Sequence, residues 1–258
     1  MRLLVFCEAE ADFRTVKGLI ARVLREDGPV WLKEHLESYP LDNLCEWIGD
    51  GAGATFFGIH RINKYKPKKS ILLPHGHFGG RKAGADYFSA LTAFRIARAE
   101  ADVEGPIAAV IFVRDADDQG DSRREGLKQA RSVALLESNF QVVLGCPDME
   151  REAWVLAGFE PDHEAEQKRL EEERRALGFC PCAEAHRLRD NDDQAPRSPK
   201  RALAALTAGD ALREERCWME APLDRLKQRG ESSGLRAFLE EIATALVPAF
   251  SSARSSRA

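Results

Sequence analysis

RLLVFCEAEADF, residues 2–13, sets an uninterrupted apolar run directly in front of Glu8, Glu10 and Asp12. Five apolar residues in six read as a strand buried on both faces, the kind that belongs to a parallel sheet. Such a strand has no reason of its own to end in acids. Carboxylates gathered at a buried edge repel one another unless a cation or water stands among them. The acids are therefore the feature to follow along the chain.

The same arrangement recurs. IAAVIFV (107–113) is the strongest strand of the sequence, and it runs into Asp115, Asp117 and Asp118. FQVVLGC (140–146) is a third buried strand, followed by Asp148, Glu150 and Glu152. Between these runs the apolar residues take helical spacing: Phe13, Val16, Leu19, Ile20, Val23 and Leu24, then the 82–99 segment, then SRREGLKQARSVALLES. Strands alternating with helices predict a mostly parallel sheet wrapped by helices. LCEWIG (44–49) and SILLP (70–74) are expected as further strands, ATFFGIHRINKY as a short helix, and Pro147-Asp148 as the start of another helix.

Composition bounds what else the chain is. With 44% hydrophobic and 31% charged residues, the 258-residue chain is a globular protein rather than a disordered one. A formal net charge of -4 gives no global basic field, so any nucleic-acid binding would work through a local patch. No apolar run approaches the roughly 20 residues of a membrane helix, and the short N-terminal apolar run ending in acids is not a signal peptide. Six scattered cysteines predict reduced thiols and a cytoplasmic protein. Composition shifts near residue 158. The expected organisation is a catalytic α/β domain over 1–158 with an insertion around 28–69, a helical extension over 159–250 packed on it, and a flexible tail over 251–258.

In a parallel sheet, ligands gather at the carboxyl ends of the strands. Acids at one strand end mean little, because Asp is a common helix cap. Acids at three ends that the fold brings together suit a hard divalent cation, Mg2+ or Mn2+. Asp115 and Asp117, two apart in an extended segment, are able to face one cation.

These residues resemble the catalytic core of Toprim proteins, which occurs in topoisomerases, bacterial primases, a ribosomal-RNA maturation nuclease and the OLD-type nucleases. More narrowly, FCEAEADF, CPDMEREAWVLAG and APRSPKRALAAL are similar to segments of small stand-alone Toprim-like bacterial proteins. The chain carries Ala9 and Ala11 where that pattern has Gly and Thr, and Gly158 where it has Asp. The resemblance implies a Toprim-like, Rossmann-like α/β fold and metal-dependent cleavage of DNA or RNA, in bacterial anti-phage defence or genome maintenance. It implies that Glu8 is a general acid/base or metal ligand, that Asp115 and Asp117 hold the ion, and that Glu152 is a further ligand, with Asp12 as a weaker one. A separate ABC/OLD-type ATPase is the partner it suggests, since the chain has no Walker motif.

Nucleic-acid contacts are expected from Arg81 and Lys82, in the Gly-rich PHGHFGGRKAG segment, and from Arg197, Lys200 and Arg201. Lys64, Lys66, Lys68 and Lys69 form a second basic stretch. His75 and His77 lack a third ligand at a fixed spacing, and Cys180-Pro-Cys182 with His186 is tighter than a usual zinc pair. Other readings are an inactive Toprim-like scaffold and a manganese-dependent nucleotide-sugar transferase. The latter would leave Glu8 and Glu152 without a role. An aspartyl phosphatase is discarded because its Asp-x-Asp would follow the first strand.

Overall fold

The computed structural model describes residues 1–65, 67 and 70–255, with side chains to 251 in the last helix. The chain runs β1 (Arg2–Cys7), α1 (Glu10–Asp27), α2 (Val30–Ser38), β2 (Glu46–Ile48), β3 (Phe57–Gly58), β4 (His77–Phe78), β5 (Arg81–Lys82), α3 (Tyr87–Glu104), β6 (Ala109–Val113), α4 (Gly120–Glu137) and β7 (Gln141–Gly145). There follow α5 (Glu152–Gly158), α6 (Glu164–Leu177), α7 (Pro199–Thr207), α8 (Ala211–Met219), α9 (Leu223–Arg229) and α10 (Leu235–Ser255).

The main sheet is parallel throughout, in the order β2-β1-β6-β7. β2 pairs with the first half of β1, and β3 with Phe6 and Cys7 at its end. β4 and β5 form a separate antiparallel hairpin. The chain leaves β1 towards one edge and returns to build the other, so the crevice opens between the carboxyl ends of β1 and β6.

Alternation along the strands explains why they read as continuous apolar runs. Leu3, Val5, Cys7, Ile111 and Val143 face one core, shared with α1, α5 and α10. Leu4, Phe6, Val110, Phe112 and Val142 face the other, shared with α3 and part of α4. Both faces are covered, so both sets must be apolar. The helices after residue 158 belong to the first core: Trp154 of α5 stacks on Phe238 of α10 at 4.8 Å.

Several local expectations give way. Residues 70–74 form no strand, and Leu72 and Leu73 are exposed. The 54–65 segment is the short β3 followed by a 3-10 turn over Ile59–Lys64, rather than a helix. The helix expected after Pro147 begins only at Glu152, because residues 146–151 are held as a turn against the β6 loop and the 230–234 segment. The helix expected from 82 starts at Tyr87, with β5 and a left-handed Asp86 before it.

Candidate active site

The loops after β1, β6 and β7 meet at the sheet's carboxyl edge. Beyond β6 and β7 the backbones stay in register: Ala116 N–H donates to the Pro147 carbonyl at 2.9 Å, and Asp117 N–H to that of Met149 at 3.1 Å. This ladder lays the Asp115-Ala-Asp117 segment beside the Asp148–Glu152 segment. Among the described residues, four non-glycine residues have positive φ, and three of them lie here: Asp86, Asp117 and Met149. Left-handed backbone at such residues is unfavourable and gathers where a site fixes it.

Asp115 is the centre of the cluster. Its partly buried carboxylate has no hydrogen bond or ion pair among the described residues. Burial, and then the charges of Asp12, Glu8, Glu152 and Glu150, push its pKa up to about 9. Five carboxyl groups from three strand ends thus converge.

The other acids are spoken for. Glu8 pairs with Arg114 at 2.6 Å and with His60 at 3.3 Å. Asp12 closes the first turn of α1, accepting from the N–H groups of Glu8 (3.1 Å) and Ala9 (2.9 Å). Glu152 pairs with Arg151 at 2.9 Å, and that buried guanidinium also reaches Asp12 at 3.6 Å and Glu214 at 2.7 Å. Asp117 takes Arg123 at 2.8 Å, while Arg123 also holds Asp86 and the Asp115 carbonyl. Glu150 pairs with Lys200 at 2.9 Å, but its second oxygen is buried without a hydrogen bond.

The donor chemistry suits a hard divalent cation, since the oxygens around Asp115 are carboxylates and two of these groups have unsatisfied capacity. The shell is not assembled as it stands. Among the described residues, no three His, Cys, Asp or Glu side chains are grouped so that they could hold a metal ion. Glu8 and Glu152 would join Asp115 by letting go of Arg114 and Arg151, whereas Asp117 is turned towards Arg123.

The basic residues fall into two groups. Arg81, Lys82 and Arg197 are exposed and make no ion pair among the described residues. Lys200 is drawn into the site by Glu150 and Asp193, and Arg201 is clamped by Glu173 and the Pro196 carbonyl. Lys64 is exposed; Lys66, Lys68 and Lys69 lie outside the described residues. The 188–200 segment forms a rim, tied to the loops after β6 and β7 through Arg189–Asp148 at 2.9 Å, Asn191–Asp118 at 3.1 Å and Lys200–Glu150.

Sequence reasoning found the acids and missed the arginines. Arg151 adjoins Glu152 and Arg123 follows Asp117 closely, but Arg114 reaches Glu8 and Asp86 only through the fold, and nothing in the spacing of the three separates them from surface cations. No protein-family model, curated protein or solved structure matches the chain.

Proposed function

We propose that this protein is a Mg2+- or Mn2+-dependent phosphodiesterase of Toprim type that cleaves DNA or RNA at the carboxyl edge of β1 and β6. The observation that carries this reading is the unpartnered Asp115 carboxylate, set among four other carboxyl groups where a parallel sheet places its ligands. A purely structural network would leave no acid unpaired at its centre.

Asp115 would hold the cation together with Glu8 and Glu152. When bound, the ion supplies charge stabilisation and a more acidic water. Glu8, whose second oxygen lies 3.3 Å from His60, would also be the proton acceptor for the attacking water. Arg114, released from Glu8, would orient a non-bridging phosphate oxygen. Arg81 and Lys82, on the hairpin leading into Asp86, and Arg197, on the rim, would track the backbone of the nucleic acid. An ATP-driven step would fall to a separate ATPase; failure of ATP to affect activity, and no co-purifying ATPase, would remove that partner.

The test is cleavage of labelled plasmid, single-stranded DNA and structured RNA with Mg2+ or Mn2+. Wild type should cleave at least one of them, Asp115→Asn should not, and Glu8→Gln should be slower by about 10²–10⁴-fold. Metal-independent cleavage, or full activity in Asp115→Asn, would refute the reading.

One observation favours a second reading, a Toprim-like scaffold that binds a partner without cleaving. Glu8, Glu152 and Asp117 each already hold an arginine. Cleavage by neither protein, together with no heat of Mn2+ binding, would select it.

A further inference from the structure

Away from the acids, the segment between α6 and α7 sets two thiols into one tight turn. Cys180-Pro181-Cys182-Ala183 is a β-turn closed by Ala183 N–H donating to the Cys180 carbonyl at 3.1 Å, with Glu184 N–H on the same oxygen at 2.9 Å. Proline in the second position fixes φ where this turn requires it. The two side chains differ in surroundings. Cys180 is partly exposed, while Cys182 is 1% exposed within the main core. The two thiols are neighbours in the turn, and Arg174 lies near Cys180. All six cysteines are free.

We propose that Cys180 and Cys182 are a redox-active thiol pair, with Cys180 as the attacking thiolate and Cys182 as the resolving thiol, oxidised by a small hydroperoxide. An accessible thiol beside a buried one in the same closed turn suits the first to attack and the second to resolve the product. The neighbouring Cys182 thiol, and then the turn's backbone N–H groups, hold the Cys180 thiol down at about 5 against the opposing effect of burial. The same contact and burial push Cys182 up, so its proton stays in place until it is needed.

In the first step the Cys180 sulfur attacks a peroxide oxygen. An S–O bond forms, the O–O bond breaks, and the departing oxygen leaves as alcohol or water after taking a proton. Cys180 is then a sulfenic acid and the peroxide is reduced. In the second step Cys182 attacks the Cys180 sulfur, the S–O bond breaks, and the hydroxyl leaves with the Cys182 proton as water. A disulfide between residues two apart in a turn is within the reach of the bond. A thiol reductant returns both residues. The inference is independent of the phosphodiesterase reading.

The test treats the whole protein with dilute hydrogen peroxide, blocks the remaining thiols, and examines the tryptic peptide 176–187, which carries both cysteines. Wild type should yield this peptide lighter by two hydrogens and unblocked. Cys182→Ser should stop at a sulfenic acid trapped by dimedone, and Cys180→Ser should leave residue 182 reduced. Should Cys182→Ser fail to fold, iodoacetamide labelling of wild type at pH 6 decides instead: Cys180 should react at least about tenfold faster than glutathione. Labelling no faster than glutathione, a peptide of unchanged mass, or a Cys182–Cys217 linkage would overturn the proposal.

Discussion

Asp115 shows how a single carboxyl reports on what its surroundings are built for. Its pKa of about 9 in the folded protein lies far above the ordinary 3.8, so the folded chain keeps a proton there that the unfolded chain has lost. Stability therefore falls as pH rises between those two values, and Asp115→Asn removes that slope. In chelator at pH 7.5, Asp115→Asn should melt a few degrees above wild type, measured by calorimetry; a lower melting temperature would mean the carboxylate is structurally needed.

Glu166 has the opposite sign. Burial raises its pKa, but hydrogen bonds from Arg213 and Asp162 N–H outweigh burial and hold it below its ordinary value. Its support is present above about the ordinary carboxyl value and is lost as pH falls through the lower folded value. Both partners are buried, Glu166 at 2% and Arg213 at 8% exposure, with Arg213 also over the Phe159 ring. Glu166→Gln should cost about 3–5 kcal/mol at neutral pH in urea unfolding, with the difference shrinking in acid. The charged 162–176 run reads as a solvated or partner-facing helix, and only this pairing across to α8 accounts for a buried acid in it.

At the scale of elements, much was legible. The three long strands lie where their apolar runs put them, because both faces of a parallel sheet must be filled. The acids at their ends meet because the topology brings those ends together. What escaped was set by tertiary contact rather than local pattern. SILLP looks like a strand, yet no neighbour offers it a ladder. Glu152 opens its helix five residues after Pro147 because the intervening turn is bonded to the β6 loop.

Two departures from the Toprim pattern also become intelligible here. Ala9 is extended, with φ -144, so no glycine is required at that turn. Gly158 ends α5 hard against α8, where a Cβ would stand 1.8 Å from the Cys217 carbonyl oxygen. The obstacle is backbone and cannot swing aside, so Gly158→Ala should destabilise by about 1–3 kcal/mol or more in urea unfolding; an unchanged midpoint would mean α8 shifts freely.

For the molecule as a whole, the boundary near residue 158 marks a change of composition and not of core. α10 packs on β7 and α1, and the turn before it closes the site from behind. There the Ser233 carbonyl accepts from Trp154 Nε1 at 2.8 Å and from Asp148 N–H at 2.9 Å. A chain cut after residue 158 should therefore fail to give a cooperative thermal transition, and should bind a hydrophobic dye such as ANS. Sharp melting of that fragment would show that the first 158 residues fold alone.

The central claim is that the acids of β1, β6 and β7 form one divalent-cation site around Asp115. It is tested most directly by calorimetric titration of Mn2+ into wild type and Asp115→Asn at pH 7.5. The account predicts saturable binding to wild type, with proton release as Asp115 ionises, and no binding to the variant. Equal binding by the two proteins, or none by wild type, would contradict it.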